Sequence, residues 1–322
     1  MKKQLAILLC LSLGFPVPDY PSATISNGLI TAKLHLPDAN NGYYRGTRFD
    51  WSGVMPDLQY KGHRYFDVWN TRPYTPTLHD AITGPVEEFT AVGIDEVPVG
   101  GAFLKIGVGG LVKPDDGSYT FTKNYEIKNP GKWKVKSKKD RVDFTHKISD
   151  VNGYGYEYHK MVKLTRDKPE LVLEHSLKNT GSKTIETSTY NHNFFVIDGE
   201  PTGPNIETTF PFETSAEGKG FGTIVEARGR QVVYNRELEE KENIITLSLE
   251  GFKNTPDDYR IHIKNTKTGA GVKIDGDRPL EKIVFWACRT TSCPEPYIKL
   301  SVKPGETVRW NIRYAFEVES EK

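Results

Sequence analysis

The sequence is poor in the features that mark several protein classes. It has three cysteines in 322 residues, too few for a disulfide scaffold. Its formal charge of +1 leaves no overall field to hold nucleic acid or an acidic membrane surface. No apolar run reaches the roughly 20 residues needed to span a bilayer. Helical periodicity never persists beyond about two turns; Leu238 to Glu242 could form one short turn. There is no internal repeat, no low-complexity linker, and no H-E-x-x-H, P-loop, dinucleotide fingerprint or serine nucleophile elbow. Cys288 and Cys293 flank Arg-Thr-Thr-Ser with no Cys or His nearby at ligand spacing, which makes a poor metal site. Whether these two pair in an oxidising compartment or stay as thiols is a matter of geometry that spacing does not decide.

The amino terminus reads as a targeting segment. Lys2 and Lys3 precede an almost wholly apolar run from Leu5 to Phe15, followed by a proline-rich exit from Pro16 to Pro21 and the small pair Ser22-Ala23. The pattern is that of a secretory signal, and it predicts residues 1–23 as a leader, residues 24–322 as one domain, and a periplasmic or secreted location. A buried first strand is the alternative. Cys10 lacks the small preceding residue of a lipoprotein site.

What is abundant is Gly 29, Pro 20, Tyr 16 and Phe 15, the composition of a turn-rich, aromatic β protein. Period-two alternation recurs along the chain, in Leu29–Leu34, Val142–Ile148, Leu171–Leu177, Ile244–Leu249, Tyr259–Ile263 and Val308–Phe316. Such runs predict half-buried antiparallel strands. Turn signals stand between them, among them Asn152-Gly153, Asn179-Thr180-Gly181 and Pro304-Gly305. The fold class is therefore all-β, a large antiparallel β-sandwich. The lysines from Lys132 to Lys139 alternate with Trp133 and Val135 and read as the solvated face of an edge strand. Gly107-Val108-Gly109-Gly110 reads as a tight bend or an edge. Residues 42–100 have weak periodicity and much Gly, Pro, Tyr and Trp, as expected of long loops that build a binding surface.

Four regions combine ionisable and aromatic residues: Tyr43–Trp51, His79–Phe89, Tyr190–Gly199 and Cys293–Tyr297. Sugars present apolar faces rimmed by hydroxyls, and this mixture of residues answers both. In Tyr190-Asn191-His192-Asn193-Phe194 a strand would put Tyr190, His192 and Phe194 on one face. An imidazole transfers protons near neutrality, although a structural histidine bonded to a carbonyl would look the same. Glu295 lies between two prolines, which restrict its backbone and aim its carboxylate; a surface-turn glutamate is the alternative. Arg45 and Arg48, just before Asp50 and Trp51, could grip vicinal oxygens or pair with Asp50. Glu87 and Glu88 must point to opposite sides of a strand, so at most one faces a pocket.

Asn191-His192-Asn193-Phe194-Phe195, then Phe285-Trp286 with Cys293-Pro294-Glu295-Pro296-Tyr297, then Pro304-Gly305-Glu306 and an aromatic closing strand together resemble the galactose mutarotase-like superfamily of aldose 1-epimerases. The resemblance spans roughly residues 25–318. It implies a carbohydrate-active supersandwich, Glu295 as general base and His192 as general acid, with the two set on opposite sides of one sugar carbon–oxygen unit. It implies substrate contacts from Arg45, Arg48, Trp51, His79, Glu88, Tyr190, Asn191 and Asp198. No cofactor or metal is required by that chemistry, and the implied partner is a small or oligomeric carbohydrate. Neither nucleic acid nor an integral membrane segment is implied. A non-catalytic carbohydrate-binding protein, a polysaccharide lyase or a glycoside-processing enzyme are the alternatives on such a scaffold.

Overall fold

The computed structural model describes residues 20–70 and 73–319. Among these residues the protein is all-β, and its only helical elements are two single 3₁₀ turns, Ile94–Glu96 and Pro256–Asp258. The expected turn near Leu238–Glu242 is not helical; it closes with the Glu242 amide donating to the Glu239 carbonyl at 3.2 Å. None of the described helices is long and apolar enough to cross a membrane.

Two large antiparallel sheets face each other. The ten-stranded sheet runs from Val225–Arg228 at one edge to Lys132–Ser137 at the other, with Thr307–Val318 and Glu170–Asn179 paired at its centre. The six-stranded sheet has the order Ser215–Lys219, Asn243–Glu250, Lys282–Cys288, Thr291–Val302, Ile185–Phe194, Gly84–Phe89. A four-stranded sheet, Ser22–Ser26 to His63–Phe66, and a three-stranded one, Ala102–Lys105 to Ile127–Asn129, flank the pair.

Alternation explains the layering. In Thr307–Val318 the residues Trp310, Ile312, Tyr314 and Phe316 are buried while Asn311 and Arg313 are exposed, because successive side chains leave a strand on opposite faces. The same logic buries Val142, Phe144, Leu171 and Leu173 in the main core. Asn152 and Gly153 both adopt positive φ, 53° and 84°, the twist-matching hairpin turn that joins Arg141–Val151 to Tyr154–Leu164. Lys132, Lys134 and Lys136 are exposed along an edge strand, with Trp133 and Val135 turned inward. The Gly107–Gly110 run makes a hairpin bend, where Gly107 sits at φ 77° and a Cβ would fall 2.5 Å from Asp50 Oδ1.

Residues 42–100 are more ordered than their texture implies. They contain the strands Val54–Tyr60, His63–Phe66 and Gly84–Phe89. Their aromatic residues form a second core with Tyr43, Phe49, Trp51, Trp69 and Phe103. That second core lies behind the candidate site and stiffens its wall. Within the expected leader, Ser22 and Ala23 pair with His35 and Leu34, and Tyr20 packs on Tyr43 at 5.2 Å. Residues 1–19, which carry most of the expected leader, lie outside the described residues. Cys288 and Cys293 are both free thiols.

Candidate functional site

The six-stranded sheet turns one face to the second core and to a cavity of about 370 Å³. Pairing register places the chemistry there. Tyr190 lies opposite Tyr297, and the bridge Phe195–Ser292 keeps the same offset, so His192 faces Glu295 across adjacent strands. On its other side the strand pairs Tyr190 with Glu88 and His192 with Val86. Tyr190, His192, Phe194, Glu88, Glu295 and Tyr297 consequently share the cavity face.

His192 Nε2 and Glu295 Oε1 are 3.2 Å apart, with side chains only 5% exposed. The expectation of opposite sides is corrected: the two groups stand side by side on one wall. Burial pushes the His192 imidazole well below its ordinary range, and the Arg48 cation adds to this. Burial likewise pushes Glu295 up to about 8, against the pull of Arg48. Although the spacing is that of an ion pair, desolvation of both partners favours a neutral histidine beside a protonated carboxyl. The pair therefore holds one proton between its two members at neutral pH.

The histidine is aimed by packing. Its Nδ1 is buried with no hydrogen-bond partner among the described residues. The ring stacks on Phe194 at 3.8 Å and 6°, with Phe49 and Trp286 at its edges. Trp69 stacks on the far face of this group through Phe194 at 4.9 Å. Phe194→Leu should consequently release the imidazole from its stacked orientation; the His192 ring resonances, which lose the ring-current shift of Phe194, check this by NMR, with Tm as the folding control.

Arg48 is clamped between the rings of Phe49 and Phe121 at 4.4 and 4.2 Å. It donates from Nε to Glu88 Oε2 at 2.6 Å and from Nη2 to the Tyr190 hydroxyl at 3.0 Å. Tyr190 in turn donates to Glu88 Oε2 at 2.6 Å. Burial raises the Glu88 carboxyl, but Arg48 and Lys105 more than offset this and hold it below the usual carboxylate range. Glu88 is thus a charged anchor, and Nη1 of Arg48 retains donors that no described residue uses.

His79, Trp69, Asp80, Phe121, Thr246 and Trp286 complete the wall. Of the residues expected to contact substrate, Arg48, His79, Glu88 and Tyr190 line the cavity alongside His192 and Glu295. Four other expected contacts lie elsewhere. Asn191 points to the core side, where its Nδ2 donates to Glu87 Oε1 at 3.0 Å; strand alternation puts it opposite His192 in direction. Asp198 occupies a positive-φ turn, where it accepts from the Arg64 amide and contacts His63 Nδ1, both at 2.9 Å. Trp51 is buried in the second core, donating to the Gly46 carbonyl at 2.8 Å. Arg45 does not line the cavity; its backbone is tied to the Pro76 carbonyl.

The flanking asparagines have a structural use. Pro294 and Pro296 cannot donate ladder hydrogen bonds. Asn193 fixes this segment by donating its side-chain amide to the Pro294 carbonyl at 2.9 Å and accepting from Tyr314 at 2.7 Å. Behind Asn191, Glu87 is held by His175 at 2.7 Å and by Lys160, all of them buried. Burial pushes Glu87 up, but Lys160 and His175 bring it below its usual range, whereas neighbouring Asp50 is raised mainly by burial.

The antiparallel supersandwich is similar in fold to solved galactose mutarotase-like structures. No family model and no curated protein matches the sequence. Solved structures match over nearly the whole chain at low identity. The Slr1438 protein of Synechocystis sp. PCC 6803 is 14% identical with a TM-score of 0.57, covering 94% of this chain and 98% of its own. A galactose mutarotase-like protein from Clostridium acetobutylicum is 13% identical, TM-score 0.55, covering 92% and 95%. The aldose epimerase homologue from C. elegans is 16% identical, TM-score 0.53, covering 93% and 100%.

Proposed function

We propose that the protein binds a reducing sugar in this cavity and interconverts its anomers, with His192 and Glu295 as the catalytic pair. The observation that carries the reading is their 3.2 Å separation in a buried cleft, with opposed displacements from their ordinary acidities.

Anomer interconversion opens a hemiacetal. One group removes the proton of the anomeric hydroxyl while another protonates the ring oxygen; the C1–O5 bond breaks and a carbonyl forms at C1. Rotation of that carbonyl and the reverse steps close the ring on the other face. The two reacting oxygens sit on one carbon, so their proton acceptor and donor must be neighbours, as these two side chains are. One proton enters the pair as another leaves, so a pair that carries a single proton is correctly charged at the start and at the end. Each positioned transfer contributes about 10²- to 10⁴-fold. Arg48 supplies hydrogen bonds to sugar hydroxyls through Nη1, and Trp69, Phe121, Trp286 and Tyr297 offer apolar surface to the ring.

A lyase acting on a uronate would want a cation free to neutralise the carboxylate, and Arg48 is already engaged with Glu88. A hydrolase would want a second carboxylate free to act as nucleophile or base, and both oxygens of Glu88 are occupied, Oε2 by Arg48 and the Tyr190 hydroxyl and Oε1 by Lys105. Both facts favour isomerisation over those reactions.

The test is polarimetry or exchange NMR on freshly dissolved α-anomers of hexoses, pentoses and uronic acids. Acceleration over the buffer rate is expected for at least one; none for any would sink the reading. The pH profile follows from the pair. kcat/KM should be level through neutrality and fall as pH rises through about 8, where Glu295 loses the shared proton. A profile that instead rises through this range contradicts the assignment.

A further inference from the structure

A second cavity, of about 780 Å³, adjoins the first. The two share Trp69 and Trp286, whose rings meet edge to face at 5.5 Å and 76°. We propose that the second cavity is a subsite for further sugar units, so that the substrate is the reducing end of a neutral di- or oligosaccharide. The inference rests on the sugar reading of the first cavity.

The chemistry of ring opening restricts which atoms must lie at the catalytic pair. Only C1, its hydroxyl and the ring oxygen take part. The remaining hydroxyls of the same ring are free to carry a glycosidic bond, and a chain attached there leaves the pair and crosses the junction. That junction is walled by two indoles, the surface on which successive pyranose faces pack.

The second cavity is rigidly joined to the first. The hairpin formed by Lys282–Cys288 and Thr291–Val302 carries Glu295 and Trp286 in its body, with Arg289 and Thr290 at its turn. From Glu295 to Thr291 the strand advances roughly 13 Å at about 3.3 Å per residue, beyond one sugar ring. Thr290 Oγ1 donates to the Trp69 carbonyl at 2.7 Å and so ties the turn to the first cavity's wall. Arg289 is pre-aimed, donating from Nη1 to the Leu238 carbonyl at 2.8 Å. The polar lining includes Asn243 and Thr290, with Glu240 and Glu242 balancing Lys241 and Arg289. Balanced charge and abundant hydrogen-bonding groups suit hydroxyls, not a polyanion, so binding should depend little on salt.

Cys288 gives a direct readout. It is half-buried and lines only the second cavity, whereas Cys293 is fully buried and burial pushes its thiol up. Alkylation with N-ethylmaleimide should therefore modify Cys288, scored by peptide mapping so that Cys10 is counted apart. Maltotriose, cellotriose, mannotriose and galactotriose are the probes, each compared with its parent hexose. At least one trisaccharide should slow alkylation about tenfold or more at a concentration where its hexose has no effect. For that sugar, KM should be lower than for the hexose, and Arg289→Ala should raise it about tenfold while leaving hexose turnover unchanged. If hexoses are turned over but no trisaccharide protects Cys288 or lowers KM, the subsite is refuted and the monosaccharide reading stands. Absence of all anomer interconversion refutes the catalytic reading instead. Cys288 protection on the unmutated protein then decides the subsite by itself, upholding it if a trisaccharide protects and overturning it if none does.

Discussion

Replacing Glu295 by glutamine is expected to reduce anomer interconversion by about 10²- to 10⁴-fold. The amide fills the same volume beside His192 Nε2, so the cavity keeps its shape, but it can neither take up nor release the proton that the reaction moves. The same change should stabilise the fold at alkaline pH. Burial raises the folded-state pKa of Glu295 from 4.5 to about 8. The folded protein therefore binds more protons than the unfolded chain between these values, and stability falls as pH rises across that interval. The penalty is absent below about 4.5 and complete above about 8, where it amounts to several kcal/mol, since each unit is about 1.4 kcal/mol. Thermal melts at pH 6 and pH 9 should show the glutamine variant gaining Tm relative to wild type mainly at the higher pH. An active glutamine variant would remove Glu295 from the mechanism. An inactive one without the alkaline gain in Tm would leave the catalytic role but refute the buried, uncompensated carboxylate.

The largest stability loss is expected at Glu87→Ala. Glu87 is fully buried and holds Lys160, His175 and Asn191. Truncation leaves the Lys160 ammonium buried without its counter-charge, which costs about 3–5 kcal/mol. Glu87→Leu combined with Lys160→Met should recover part of that loss, because the apolar pair removes the unpaired buried ammonium, while His175 and Asn191 still lose a partner. Denaturant titration of the two single variants and the double measures this coupling. If the single changes prove additive, the network is not the unit described. The effect should extend to the site, because Asn191 adjoins His192 in the strand and its amide would lose a partner.

The fold was largely legible because alternation is a direct consequence of strand geometry. Thr307–Val318 buries the even-numbered aromatic residues that its sequence marks out. His192 and Glu295, marked by a polar residue among aromatics and a carboxylate between prolines, both reach the cavity. Parity also held the signal for Tyr297, two residues from Glu295 on the same strand, and for Trp286 beside it. Parity argued equally against Asn191, but the local density of polar groups outweighed it; Asn191 instead satisfies Glu87 and Asn193 the Pro294 carbonyl. Phe121 and Trp69 come from segments without periodicity, and only tertiary packing brings them to the cavity. Trp51 and Asp198 carry the right chemistry for sugar contact. A core packing position claims the first, and a turn that needs a side-chain acceptor claims the second.

The cleft draws Arg48 and Glu88 from the first third of the chain, His192 from its middle and Glu295 from near its end. No contiguous fragment assembles it. During synthesis His192 and Glu295 cannot meet until the last long hairpin has been made and has found strands completed much earlier, an intrinsically slow, non-local pairing. Formation of that pair therefore reports a correctly registered chain, and prematurely terminated products should lack it however much sheet they form.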